Sequence, residues 1–458
     1  MEKMINTPCG ALQGTDCQWP GVRAFKGIRY ATAGRWEYPQ LVTSWDGVYD
    51  ATQYGNCSYQ PRAFYNEEEN LGKVFYYNEF RKGETYTYSE DCLFLNVFAP
   101  ADATPDSKLP VLVYIHGGGF TGGCAHEKHF DGPVWATKGV VAVTLNYRLG
   151  PMGFVCLPEL VEEAGHTGNY GLYDQMTALQ WVQQNIAAFG GDAGNVTIMG
   201  QSAGAMSVQS LCVSPLTDGL FHKAVMSSGG GVSKMMNNSA THETRYELWQ
   251  RTMQEAGCTT LAEFRALEPE KLFAAWTAAK AQIKGSGMAA APVMDGVFFA
   301  QDNMATANAG KQKNIPYMMG ATSQDMMPLF IYGMAKDWCS LQAKQGKQPS
   351  YCWFFDRQLP GDDKGAWHSS DLWYWFGTLA NCWRPFTDKD RALSAQMVDY
   401  LTNFAKTGDP NGANLPHWEP ITAKNQNPMR LGEAPTGMGK VSKAKLALTT
   451  FTTKPVGE

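Results

Sequence analysis

Apolar residues follow two patterns along the chain. Short continuous runs at 109–114, 140–145 and 195–199, with weaker ones at 224–226 and 315–319, predict strands. Because the runs are continuous rather than alternating, they fit a sheet covered on both faces. Elsewhere the period changes. Leu172, Met176, Leu179, Val182, Ile186 and Phe189 recur at steps of four, three, three, four and three, which places them on one helical face. Gly190-Gly191 then stops that helix. Leu393, Met397, Leu401 and Phe404 form a similar stripe, ended by Gly408-Asp409-Pro410. Residues 232–290 read as helices, at 246–256 and 269–282, with no strand between them, so an insertion beside the sheet is expected. Alternation of strands and helices predicts an α/β fold around a mostly parallel, doubly wound sheet.

Composition narrows the function. Hydrophobic residues make up 44% of 458 and charged residues 18%, a folded globular profile. One catalytic domain over 1–458 is the expectation. The net charge of −5 is scattered, and no basic stripe suits a phosphate backbone, so nucleic acid is not expected as a partner. The first residues lack an apolar leader segment, and no apolar run reaches the roughly 18 residues of a membrane span. A cytoplasmic location follows as the expectation. The 11 cysteines are odd in number and dispersed, without a Cys-x-x-Cys pair, which suits buried free thiols. Cys124, His126 and His129 look superficially like metal ligands, but no fourth ligand lies nearby, so no metal is expected.

Two glycine-rich segments carry the chemistry. Gly200-Gln201-Ser202-Ala203-Gly204 follows one expected strand and opens a helical stretch. A serine on such a tight turn is exposed as a nucleophile, and small flanking residues let the backbone cross without clashes. The pentapeptide alone is a weak signal; the strand before it and helix after it give it weight. His116-Gly117-Gly118-Gly119-Phe120 follows another strand. Its bare amides suit a developing oxyanion, and we assign Gly118, Gly119 and the Ala203 backbone as donors. His116 precedes the nucleophile in the chain and reads as a structural hydrogen-bonder.

With these motifs in place, the chain resembles the type-B carboxylesterase/cholinesterase family along nearly its whole length. Ordered matches include Gly27-Ile28-Arg29-Tyr30-Ala31, Glu90-Asp91-Cys92-Leu93-Phe94-Leu95-Asn96-Val97 and Asn146-Tyr147-Arg148-Leu149. Gly168-Asn169-Tyr170-Gly171-Leu172, Asp174-Gln175, Phe189-Gly190-Gly191-Asp192 and Pro292-Val293-Met294-Asp295-Gly296 continue the series, and Asn403 to Pro410 closes it. The resemblance implies an α/β-hydrolase that cleaves esters through an acyl-enzyme without a cofactor, its triad running Ser, acid, His. A small, uncharged, fairly apolar ester is the expected partner.

That order leaves His368 and His417 as bases. Gly365-Ala366-Trp367-His368-Ser369-Ser370-Asp371 matches the family pattern, whereas His417 sits where the family has a surface turn. Gly320-Ala321-Thr322-Ser323-Gln324-Asp325 matches the segment that bears the acid, although many members have Glu there; Asp295 and Asp371 are the rivals, read as a turn residue and a helix-orienting residue. Ser228 matches a family serine near the triad and either bonds the acid or is a plain strand-end serine. His368 follows Asp325 by only 43 residues, fewer than in larger members, so a shortened cap near 326–350 and an open site are expected. Phe120, Met326 and Trp367 are candidate pocket residues. Cys57 and Cys92 occupy positions that the resemblance pairs as a disulfide in secreted members. The rival class is a catalytically silent binding protein, which the retained Ser202, Asp325, His368 and glycine loop argue against.

Overall fold

The computed structural model describes residues 3–233, 240–283, 288–452 and 456. Its main sheet has 11 strands. In chain order they are β1 (Thr15–Asp16), β2 (Val22–Arg29), β3 (Phe94–Pro100), β4 (Leu109–Ile115), β5 (Val141–Leu145) and β6 (Gly191–Gln201). β7 (Lys223–Ser227), β8 (Tyr317–Thr322), β9 (Ser350–Phe355), β10 (Met429–Leu431) and β11 (Gly437–Met438) follow. Their order across the sheet is β11-β10-β9-β8-β7-β6-β4-β5-β3-β2-β1. From β10 through β5 every neighbouring pair is parallel. β1, β2, β3 and β11 pair antiparallel at the two margins. The five runs expected from the apolar pattern all lie in the parallel centre.

Side chains alternate between two cores, one on each face. Val111, Val113 and Ile115 of β4 enter one core, and Leu112 and Tyr114 enter the other. β7 does the same, with Ala224 and Met226 on one face and Val225 on the other. Both faces need apolar residues, which explains the unbroken runs.

Ten helices matter to the argument. They are α1 (Val74–Phe80), α2 (Tyr170–Asn185), α3 (Ala203–Val213), α4 (Tyr246–Glu255) and α5 (Leu261–Arg265), then α6 (Pro269–Gln282), α7 (Pro328–Lys344), α8 (Leu372–Phe376), α9 (Asp388–Thr407) and α10 (Lys443–Thr452). The expected stripe of α2 is buried apart from half-buried Met176, and Tyr173, Ala178 and Trp181 on its other sides are buried as well. α9 sends Leu393, Met397, Leu401 and Phe404 into the opposite core. α4, α5 and α6 lie within 232–290, where helices are expected; residues 234–239 and 284–287 of that range lie outside the described residues. Residues 326–350, read as a shortened cap, instead hold α7, the crossover between parallel β8 and β9; it buries Trp338 and Cys339 in the core shared with α2 and α3. Among the described residues no helix is long and apolar enough to cross a membrane.

Several motif residues hold loops together at long range. The Arg148 guanidinium binds Asp174 through two hydrogen bonds of 2.7 and 2.9 Å, and its amide adds a third at 3.0 Å, both side chains almost fully buried. Asn169 exchanges two hydrogen bonds with the Val293 backbone at 2.8 and 2.9 Å. Asn96 accepts from the Gly27 amide and donates to Thr144. A lone buried polar group would cost about 1–3 kcal/mol, so each pairing makes two distant segments interdependent.

Candidate active site

Strand order reverses at β4, which is flanked by β5 on one side and β6 on the other. Loops leaving β4 and β6 therefore part in opposite directions and open a crevice at the carboxyl edge of the sheet. Ser202 follows β6 directly, with φ +57° and ψ −126°, a conformation rare outside glycine. Two glycines make it possible. A Cβ on Gly200 would lie 2.2 Å from the Gly204 carbonyl oxygen, and one on Gly204 would lie 2.1 Å from that of Ile115. The Ser202 amide donates to the Ser227 carbonyl at 2.9 Å. α3 begins at Ala203, so its first amides and positive dipole end stand beside Ser202.

The glycine loop lies against this turn. A Cβ on Gly117 would sit 3.1 Å from Ser202 Cβ. Gly118 (φ +111°) turns the chain sharply, and its carbonyl accepts from the amides of Thr121 and Gly122 at 3.0 and 2.9 Å. A side chain there would strike the Gly122 carbonyl at 2.1 Å. Gly118 and Gly119 are exposed, and their amides have no hydrogen-bond acceptor among the described residues. His116 is buried, stacks on Tyr147 and places Nδ1 2.8 Å from the Gly117 carbonyl; burial pulls its pKa down to about 4.

The far end of this loop carries a correction. Cys57 is bonded to Cys124 across a Cα–Cα distance of 5.6 Å, while Cys92 is a buried free thiol. The resemblance pairs Cys57 with Cys92, but the returning glycine loop brings Cys124 into bridging range instead. Of the three residues noted as superficial metal ligands, Cys124 is in the bridge and His126, stacked on Tyr54, keeps Nδ1 3.3 Å from its sulfur, while His129 stacks on Phe80 instead.

Asp325 and His368 meet from the loops after β8 and β9. His368 Nδ1 lies 2.5 Å from Asp325 Oδ1. Oδ1 also accepts from the Met326 amide at 2.9 Å, and Oδ2 accepts from the Thr322 hydroxyl at 3.0 Å. Burial pushes the Asp325 pKa up, but the His368 charge and the hydrogen bonds outweigh it, so the net shift is downward. The buried Ser228 hydroxyl makes no hydrogen bond to this carboxylate. Burial pulls His368 down, while Asp325 and then Asp371 push it up, so it ends above its ordinary 6.5.

Gln324 brings the two loops together. Its amide donates to the Ala366 carbonyl at 3.0 Å, and its side-chain oxygen accepts from the Ala366 amide at 2.8 Å. Gly365 must be glycine, since a Cβ there would overlap the Gln324 side-chain oxygen. His368 Nε2 lies 3.3 Å from Gln201 Nε2, on the residue before Ser202. The half-exposed Ser202 hydroxyl forms no hydrogen bond among the described residues. Catalytic hydrogen bonds are often long or misaligned before substrate binds, and Ser202 is already next to the residue that His368 touches.

The other candidates separate by burial. His417 is exposed. Asp295 accepts from the amides of Val297, Phe298 and Phe299, as a turn residue does. Asp371 is fully buried and accepts from Ser227 Oγ and Trp375 Nε1 without capping α8, and burial raises its pKa to about 6. Phe120 and Trp367, read as pocket residues, are fully buried instead. Phe120 packs edge-on against Phe154, and Trp367 against Phe75 on α1, because neighbouring aromatic rings fill the space a pocket would need. Met326 is 43% exposed, with Met327 beside it at 39%. Gln201, Ser227 and Thr322 went unremarked as site residues; only their adjacency to Ser202, Ser228 and Asp325 could have flagged them.

The carboxylesterase family's sequence profile matches residues 1–345 and 329–449. The chain is 32% identical to the para-nitrobenzyl esterase of Bacillus subtilis (strain 168), over 89% of this chain and 91% of that one. It is 29% identical to carboxylesterase 4A of Bos taurus, over 91% of this chain and 89% of that one. Among solved structures, a thermophilic para-nitrobenzyl esterase superposes with a TM-score of 0.83 at 29% identity, covering 97% of this chain and 100% of that one.

Proposed function

The chain belongs to the carboxylesterase family and is a carboxylic ester hydrolase, and from that premise we propose that it cleaves small, uncharged, fairly apolar esters through an acyl-enzyme on Ser202. The single observation carrying this reading is the Asp325–His368 pair, 2.5 Å apart, whose free imidazole edge reaches the strand end bearing the strained serine.

The chemistry follows from the positions. With Nδ1–H held by an ionised Asp325, neutral His368 presents a lone pair at Nε2. That lone pair takes the Ser202 proton as Oγ attacks the ester carbonyl carbon. The C=O π electrons move onto oxygen, and the amides of Gly118, Gly119 and Ala203 are the donors that stabilise it. Losing one such donor typically costs about 2.7–4 kcal/mol of barrier. Collapse breaks the C–O bond, and imidazolium Nε2–H protonates the departing alcohol. Water, deprotonated by the same nitrogen, then attacks the acyl carbon; collapse breaks the bond to Ser202 Oγ, which takes the proton back from Nε2–H as the acid leaves. No step requires a cofactor.

The apolar preference rests on the exposed thioether side chains of Met326 and Met327 beside the acid, and on a relative named for an aryl-methyl ester. Hydrolysis of p-nitrophenyl acetate tests the mechanism. Ser202→Ala is expected to lower kcat/KM by at least roughly 10³-fold with an unchanged melting curve. Wild-type turnover in that variant removes Ser202 from the reaction.

A further inference from the structure

Gln201 is the last residue of β6, 3% exposed, and its backbone is fixed in register opposite Ser227 of β7. Its side-chain nitrogen, not the Ser202 hydroxyl, is the group nearest to hydrogen-bonding His368 Nε2, at 3.3 Å. Gly117 leaves room for this residue: a Cβ added there would lie 3.1 Å from Gln201 Oε1 and 2.5 Å from its carbonyl oxygen.

Asp325 is an acceptor and occupies Nδ1, so the neutral ring carries its proton there. Nε2 is then an acceptor only, and a carboxamide nitrogen is a donor only. The contact is compatible with neutral imidazole and opposed to imidazolium, which would set two N–H groups against each other.

We propose that Gln201 is a positioning residue that holds the His368 Nε2 lone pair unprotonated and aimed at the nucleophile strand until Ser202 takes it over. The inference rests on the triad reading above. It adds that the residue inside the serine motif sets the protonation state of the base. When the Ser202 proton arrives at Nε2, the carboxamide must turn its oxygen to the new N–H or withdraw. The titratable groups facing His368 are Asp325 from the β8 loop, Asp371 from the start of α8 and the Tyr76 hydroxyl from α1, which donates to the His368 carbonyl. All three remain in the variants that test the idea.

The experiment compares the full chain with Gln201→Met, which removes the donor at similar size, and Gln201→Glu, which replaces it with a charged acceptor. For each protein, kcat/KM on p-nitrophenyl acetate is followed from acid to neutral pH, and the His368 ring is titrated by NMR. Both midpoints are expected to rise in the order wild type, Met, Glu. The Glu variant should shift by about one pH unit or more, because a carboxylate within hydrogen-bonding range favours imidazolium. At pH values above each limb, the variants should regain most of their activity. A purely structural role would lower activity at every pH and leave the midpoints in place. His368 midpoints agreeing within about 0.2 unit across folded proteins overturn the proposal. If that happens while Ser202→Ala is inactive, the triad stands and only the role of Gln201 falls. Conversely, if Ser202→Ala stays active, the triad fails, and the NMR titration still reads the Gln201 contact directly.

Discussion

The Ser202 half and the Asp325–His368 half of the candidate site sit on the same sheet but are built by different means. Ser202 and the glycine loop leave β6 and β4, which are hydrogen-bonded neighbours at the point where strand order reverses. Their geometry is written in the backbone, as a positive φ at Ser202 and glycines at 118, 200 and 204 where any Cβ would collide with a carbonyl. Asp325 and His368 come from loops after β8 and β9, and side chains bring them together. Gln324 ties the two loops, Thr322 and Met326 orient the carboxylate, and the buried Trp367 anchors the segment before the histidine. One half therefore depends on side chains being absent at its glycines, and the other on particular side chains being present.

The largest expected effect tests the second half. Asp325→Asn keeps the shape and removes the charge that holds Nδ1–H and supports imidazolium, so kcat should fall on the order of 10⁴-fold. Steady-state kinetics on p-nitrophenyl acetate measures it, and a fall below tenfold would mean another carboxylate serves, with Asp371 the nearest alternative. Next comes the bridge that staples the glycine loop. The Cys57–Cys124 disulfide closes a separation of 67 residues. In the chain-entropy account, Cys124→Ser should reduce unfolding free energy by about 4 kcal/mol, and a dithiol reductant should do the same to the wild type. Denaturant titration with and without reductant reads both, and equal midpoints would show the bridge to be absent in solution.

The smallest effect concerns pH. His368 is raised above 6.5, so kcat/KM should climb as pH rises through that higher value and the base becomes neutral. Stability runs the opposite way. The His368 contribution is complete below the unfolded value of 6.5 and is lost as pH rises through the folded one. Asp325, being lowered, contributes above its unfolded 3.8 and loses that as pH falls through its folded value. The pair therefore stabilises most in mildly acid solution, where His368 is largely protonated and catalysis is below its plateau. Asp371→Asn removes the lesser of the two carboxylates that raise His368, and should move the acid limb of kcat/KM downward by a fraction of a unit. An upward movement would reverse the assigned influence of Asp371.

Much of the Ser202 half was legible in the chain itself. Strand, glycine, serine, glycine and helix are contiguous, and local backbone geometry depends on neighbours in sequence. The five central strands and the α2 and α9 stripes were equally legible, because burial imposes a period. Asp325 and His368 were reachable only through chain order and family pattern, since nothing local distinguishes them from Asp371 or His417. The marginal antiparallel strands, the crossover role of α7 and the burial of Phe120 and Trp367 were not legible. Each depends on which element lies alongside, and aromatic residues look alike whether they line a pocket or fill a core.

The amino-acid order alone settled the period of each element, the strained turn at residue 202 and the placement of bare glycines, because these are determined by sterics over a few bonds. Tertiary structure alone decided which cysteine joins Cys57, which carboxylate meets the imidazole and that Gln201 faces its other edge. Those contacts span separations of 43 to 167 residues, and their partners are set by the lateral order of strands and the path of the loops between them.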